Sequence, residues 1–229
     1  MPNMLEFPPA PLPPDVNTPP YVLFGINGME CFNDLSQKVP LKLALHFVPK
    51  LADWLLPSPT DLPKEVVNIE LLTPYRGIDI RDTDVSIIGL LWVIKHMLQL
   101  SGVPQPKEAF NMTDLSPHIC LMIYQTWLAL ELPIAGADGL RVRLLTQLMS
   151  NEPVILPVMK MIWASFPHKD EVVRQMFLNY LRSHLERGYT LSVSLEVLSW
   201  ILDTEERSQA FQEIEKGHPG FRDMLRMEY

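Results

Sequence analysis

The run from Asp84 to Leu100, DVSIIGLLWVIKHMLQL, constrains this chain more than any other stretch. Ile87, Ile88, Leu90, Leu91, Trp92, Val93, Ile94, Met97 and Leu98 follow one another with hardly a polar residue between them and no proline. A helix so apolar all round is predicted to be buried. It is too short for a bilayer, which takes about 20 mostly apolar residues, and Lys95, His96 and Gln99 interrupt it. It therefore reads as a core helix. Just upstream, GIDIRDTD (Gly77 to Asp84) alternates Ile78 and Ile80 with Asp79 and Arg81, the period of a half-buried strand. The DTD turn between strand and helix offers Asp82 or Asp84 as the side-chain cap for the helix's unpaired N–H groups.

Other short strands precede this unit. Tyr21 to Phe24 is β-rich and runs into GINGM, whose Gly25, Asn27 and Gly28 tolerate positive φ, so a hairpin into Met29 to Phe32 is expected. The two glycines do not make a phosphate loop, because no Lys-Ser/Thr follows and no third glycine opens a helix. Leu41 to Leu56 has the spacing of an amphipathic helix, with Pro49 forcing a break near Val48. Residues 57–64 read as loop and Val66 to Leu72 as a further strand. After a loop at Ser101 to Pro106 the pattern becomes helix after helix: Pro117 to Glu131, with Ser116 as cap, then Gly139 to Ser150, Glu152 to Phe166 and Asp170 to Arg187. Gly188 is placed to stop the last of these, and two shorter helices, Ser192 to Leu202 and Glu205 to Lys216, complete the series. No fixed period marks a solenoid.

Composition narrows the function classes. A net charge of −8 and a pI near 5.2 leave no cationic surplus for a phosphate backbone, so direct binding of nucleic acid is not expected. Cys31 and Cys120 lie far apart among apolar neighbours and read as buried thiols in a reducing, intracellular compartment, nucleus or cytoplasm. Residues 1–20 hold so many prolines that helix and sheet are both excluded, and a disordered, extended tail is expected there. That tail lacks the basic and apolar regions of a secretory signal, and no membrane partner is expected. Its PPAPLPP satisfies the loose P-x-x-P pattern without the flanking arginine that orients such ligands.

Chemistry-bearing residues are present but not gathered. His46, His96, His118, His168, His184 and His218 share no motif, and none of H-E-x-x-H, G-x-S-x-G or C-x-x-C occurs. His118 and Cys120, two residues apart, point to different sides of a helix and cannot act as a nucleophile and base. Asp82 and Asp84 are too few for a calcium loop. No catalytic residue, metal site or cofactor is predicted, and the chain does not read as an enzyme. Trp54, Trp92, Trp127, Trp163 and Trp200 each fall on a predicted helix and read as core anchors, with Met149, Met159, Met161 and Met176 as packing.

In order, the hairpin, the helix ALHFVPKLADWL (Ala44 to Leu55), the strand VVNIELL, the strand GIDIRDTD and the helix SIIGLLWVIKH resemble the BTB (POZ) domain. Pro49, Leu51 and Leu55 fall on that family's first helical pattern. Asp82, Asp84, Ile87, Leu90, Leu91, Val93 and Ile94 fall on or beside its acidic turn and following helix, and Tyr124, Leu128, Leu132, Ile134 and Leu140 on its next segment. The resemblance covers about Tyr21 to Ser150, and the helical remainder is similar to fungal BTB-like proteins. It implies an α+β BTB-like domain over 21–150, short strands packed on a helical cluster, followed by an all-helical extension over 151–229. It further implies an oligomerising or adaptor subunit of an intracellular complex, of chromatin-linked or transcription-regulatory type, pairing as a homodimer or with another BTB-like protein. A cullin ubiquitin-ligase adaptor is one alternative, and a small-ligand-binding or catalytic helical protein another. The family's self-association surface maps to Tyr21, Val22, Leu23 and Phe24 with Leu41, Leu45 and Phe47; the competing reading is that these residues close their own core.

Overall fold

The computed structural model describes residues 4–30, 38–57, 74–103, 115–150, 152–186 and 188–217. The chain is mixed α and β and divides into two units, Met1–Leu140 and Arg141–Tyr229. The division falls ten residues before the expected boundary at Ser150, inside a helix, Asp138–Leu148.

The first unit is built on strand β1, Tyr21–Ile26, which buries Val22, Phe24 and Ile26 on one face. Asn27 and Gly28, at φ 50° and 78°, form the two-residue turn into β2, Met29–Glu30, where positive φ at both positions matches the strands' twist. The expected hairpin is present as far as Glu30; residues 31–37, including Cys31, lie outside the described residues. A short β3, Val39–Pro40, pairs with Tyr21 and Val22 at the other end of the same edge. The opposite edge of β1 is taken along its whole length by β4, Tyr75–Ile80, in parallel register from Tyr21↔Tyr75 to Ile26↔Ile80. Parallel strands need a crossover, and it begins with helix α1, Leu41–Phe47. The break expected near Val48 is where α1 ends, and Pro49 opens a 3-10 segment, Pro49–Trp54. Beyond it the Leu56 N–H donates to the Gly77 carbonyl at 2.9 Å, covering the outer edge of β4. The predicted strand Val66 to Leu72 lies outside the described residues.

The central apolar run forms α2, Ile87–Leu100, packed on α3, Pro117–Ala129. Two expectations need correcting. The cap is Ser86, whose hydroxyl accepts the Gly89 N–H at 2.9 Å, whereas Asp82 spends its carboxylate on the N–H of Asp84 within the turn. The helix is also buried on one side only: Leu90, Val93, Ile94 and Met97 are enclosed, while Ile87 and Ile88 are 37% and 38% exposed. The two helices approach closely at Gly89, where a β-carbon would overlap Thr126 Oγ1 and lie 2.7 Å from the Met122 carbonyl oxygen. Gly89→Ala is therefore expected to force the helices apart at a cost of about 1–3 kcal/mol, read as a lower urea midpoint with an unchanged slope.

The expected disordered tail is corrected from Met4 onward. Residues 4–20 contain no helix or strand, yet Met4, Leu5, Phe7 and Val16 are buried. Proline forbids regular structure, but it also holds the chain extended, so docking the apolar residues beside it costs less conformational entropy.

The second unit is helical among the described residues. It carries most of α4, Asp138–Leu148, then α5, Leu156–Ser165, α6, Glu171–Leu185, α7, Leu191–Leu202, and α8, Glu205–Glu215. Each follows its apolar stripe, and α6 buries Val172, Val173, Met176, Phe177, Tyr180 and Leu181. Asp170 caps α6 through the Val172 N–H at 2.8 Å and also receives Arg141 Nη2 at 3.0 Å on both carboxylate oxygens. Asn179, on the same helix, is fully buried and ties down the α4–α5 connection.

Of the tryptophans, Trp127 is the enclosed core anchor that was expected. Trp54, Trp92, Trp163 and Trp200 are only half-buried. Lys50 lies over the Trp54 ring at 5.7 Å, Arg207 over Trp200 at 4.7 Å, and His168 stacks on Trp163 at 3.9 Å. These amphipathic rings sit at the rim of the core, with a polar neighbour on the outer side.

Candidate protein-interaction site

The seven residues singled out for partner binding separate by element. On β1, Val22 and Phe24 are 6% and 2% exposed and close the core under the sheet, which takes them out of a partner surface. Tyr21 and Leu23 are half-buried on the other face, where Tyr21 packs against Tyr75 at 6.1 Å and Lys38 lies over its ring at 5.4 Å. With β4 along one edge of β1, and β2 and β3 at the ends of the other, a second chain cannot add to this strand at its paired residues without displacing one of them. On α1 the outcome differs. Leu43 and Ala44 are buried, while Leu41 and Leu45, one turn apart, are half-buried and share a face. Phe47, also half-buried, is covered by Phe7 from the N-terminal segment.

That cover is a structured contact. The Phe7 ring centroid lies 4.7 Å from Phe47, 4.9 Å from Trp127 and 5.6 Å from His96. The Glu6 N–H donates to the Gly136 carbonyl at 2.7 Å. Sequence reasoning missed Met4, Leu5, Phe7 and Gly136. The available signal was the cluster MLEF, three apolar residues immediately before the prolines.

His96 is enclosed beneath this segment. Burial holds its imidazole below the usual 6.5, against the opposing effects of hydrogen bonds to the Gln99 side chain and the Leu5 carbonyl and of the Glu6 charge. The folded unit consequently binds fewer protons at this site than the unfolded chain does. The contribution of His96 is complete above about pH 6.5 and is lost as the pH falls through the lower folded-state value. Melting temperatures measured between about pH 7.5 and about pH 5 should fall more for the wild type than for His96→Gln. Equal slopes would show that the ring is not held neutral by the fold.

The second unit has a cavity of about 800 Å³ between α6 and α8, with Phe177, Leu178 and Ile214 among its apolar lining. In its lining His168 Nδ1 meets Glu206 Oε1 at 2.6 Å. Cys120 is buried, and His118, two residues away, is exposed. Among the described residues no three His, Cys, Asp or Glu side chains gather as metal ligands, and no helix is long and apolar enough to cross a membrane. Comparison of the chain with protein-family models, with curated proteins and with solved structures gives no match.

Proposed function

We propose that this chain is a non-enzymatic, intracellular protein-interaction subunit built on a BTB-like domain, which associates with a second copy of itself through α1. The order of elements supports the BTB-like reading: the β1–β2 hairpin, α1 ending before Pro49, β4 beside β1, the acidic turn at Asp82 to Asp84, and α2. The single observation that carries the interaction reading is the pair Leu41 and Leu45, apolar, a turn apart and only half-buried on α1. A partner covering both removes apolar surface from water at about 25 cal/mol per Å², and α1 is then the contact in place of the strand.

Sedimentation of the double variant Leu41→Asp/Leu45→Asp tests this. A folded monomer under conditions where the wild type is a dimer is the expected result. A folded variant that still dimerises overturns the assignment to α1.

A further inference from the structure

We propose that the cleft lined by Phe47, His96, Trp127 and Gly136 is a peptide-docking site, occupied by the chain's own Met4–Phe7 and open to a partner's extended segment of the same chemistry: an aliphatic residue, an acidic one, then phenylalanine. The site goes beyond the self-association reading, since a monomer carries it equally well.

The occupant sits as a bound peptide does. Met4, Leu5 and Phe7 are buried and Glu6 is exposed, so three apolar side chains of the segment face the surface and its one carboxylate faces water. Phe7 packs against three aromatic rings, the Phe47 phenyl, the Trp127 indole and the His96 imidazole. Buried aromatic anchors of this kind dominate the energetics of peptide contacts.

The floor of the cleft is shaped to admit a backbone. Gly136 accepts the Glu6 N–H, and a β-carbon there would lie 2.3 Å from the Glu6 carbonyl oxygen and 2.6 Å from Trp127 Cζ2. Any side chain at this position would close the cleft. Main-chain pairing at Gly136 gives affinity that does not depend on sequence, while the Phe7 pocket selects the side chain. Glu6 points outward, where a carboxylate keeps its hydration and adds its charge beside His96.

The occupant is also tethered instead of built in. Between Phe7 and the next buried residue, Val16, come the eight residues Pro8 to Asp15, five of them proline, all exposed except the half-buried Pro13. An extended tether of that kind spans about 3.1 Å per residue and holds the anchor near its cleft at an effective concentration in the millimolar range. A partner segment competes against that local concentration and docks when the chain's own anchor is out.

The test uses the full chain with a protease recognition sequence inserted after Pro11, purified folded and then cut. The probe is a fluorescein-labelled synthetic peptide of residues 2–12, followed by anisotropy, with circular dichroism as the check on folding. The cut protein is expected to take up the peptide saturably, the uncut protein at least about tenfold more weakly because its own segment competes. A peptide carrying Phe7→Ala should lose about tenfold or more in affinity. Equal binding by cut and uncut protein, equal binding of the Phe7→Ala peptide, or no uptake by the folded cut protein each overturns the proposal. Unfolding on cleavage overturns it too, because the segment is then part of the core. None of these results bears on whether the protein dimerises through α1.

Discussion

Asn179→Ala is expected to lower stability by about 3–5 kcal/mol, the largest effect of any single polar substitution in the second unit. The amide is buried on α6, and its Nδ2 donates to the carbonyls of Leu148 and Glu152 at 3.0 Å each and to that of Ser150 at 3.4 Å. Its Oδ1 accepts the Val154 N–H at 3.0 Å. One side chain thus stands in for the secondary structure that the turn between α4 and α5 lacks. Removing it strands buried backbone groups, each of which costs about 1–3 kcal/mol when unpaired and shielded from water. Asn179→Asp is the sharper control. It keeps the acceptor for Val154 but turns an oxygen towards three carbonyl oxygens, so it should be at least as damaging although its shape is nearly unchanged. Urea unfolding followed by circular dichroism measures both; an aspartate variant as stable as the wild type would contradict the network as described.

Trp127→Ala should cost about 3–5 kcal/mol in the first unit. The ring is wholly buried on α3, packs against Phe7 at 4.9 Å and touches the space above Gly136. Its Nε1–H donates to the Pro133 carbonyl at 2.8 Å. Trp127→Phe retains most of the packing and loses the hydrogen bond, which isolates a smaller cost of about 1–2 kcal/mol. Because Trp127 is also a wall of the cleft, the alanine variant is expected to expose residues 4–7 to limited proteolysis at temperatures where the domain is still folded. Protection equal to that of the wild type would mean that Phe7 is held by Phe47 and His96 alone.

The legible parts of the fold are those specified locally. The alternation of Ile78 and Ile80 and the apolar run after Ser86 are continuous in sequence, so β4 and α2 were readable, as were the stripes of α5 to α8. Pro49 ended α1 where its missing N–H and fixed φ require. What depended on distant neighbours was not readable. Burial of α2 on one side only follows from which helix lies against Gly89, and Ile87 and Ile88 look no different in sequence from Leu90 and Val93. The cap passed to Ser86 because Asp82 has a nearer donor in Asp84, a competition that composition does not display. The parallel pairing of β1 with β4, far apart in the chain, and the burial of Val22 and Phe24 beneath it are long-range features of this kind. The N-terminal segment was misjudged for a related reason. Proline density reports the absence of helix and sheet, whereas docking is decided by Leu5 and Phe7 meeting a glycine-floored aromatic cleft assembled from residues 47 to 136.

The most direct test of the central claim, that this chain is an association module, is the solution mass of the wild-type protein by light scattering across a range of concentrations. The expected result is a species of twice the 26.3 kDa chain mass that persists on dilution into the micromolar range. A mass that stays at that of one chain at every concentration would contradict it.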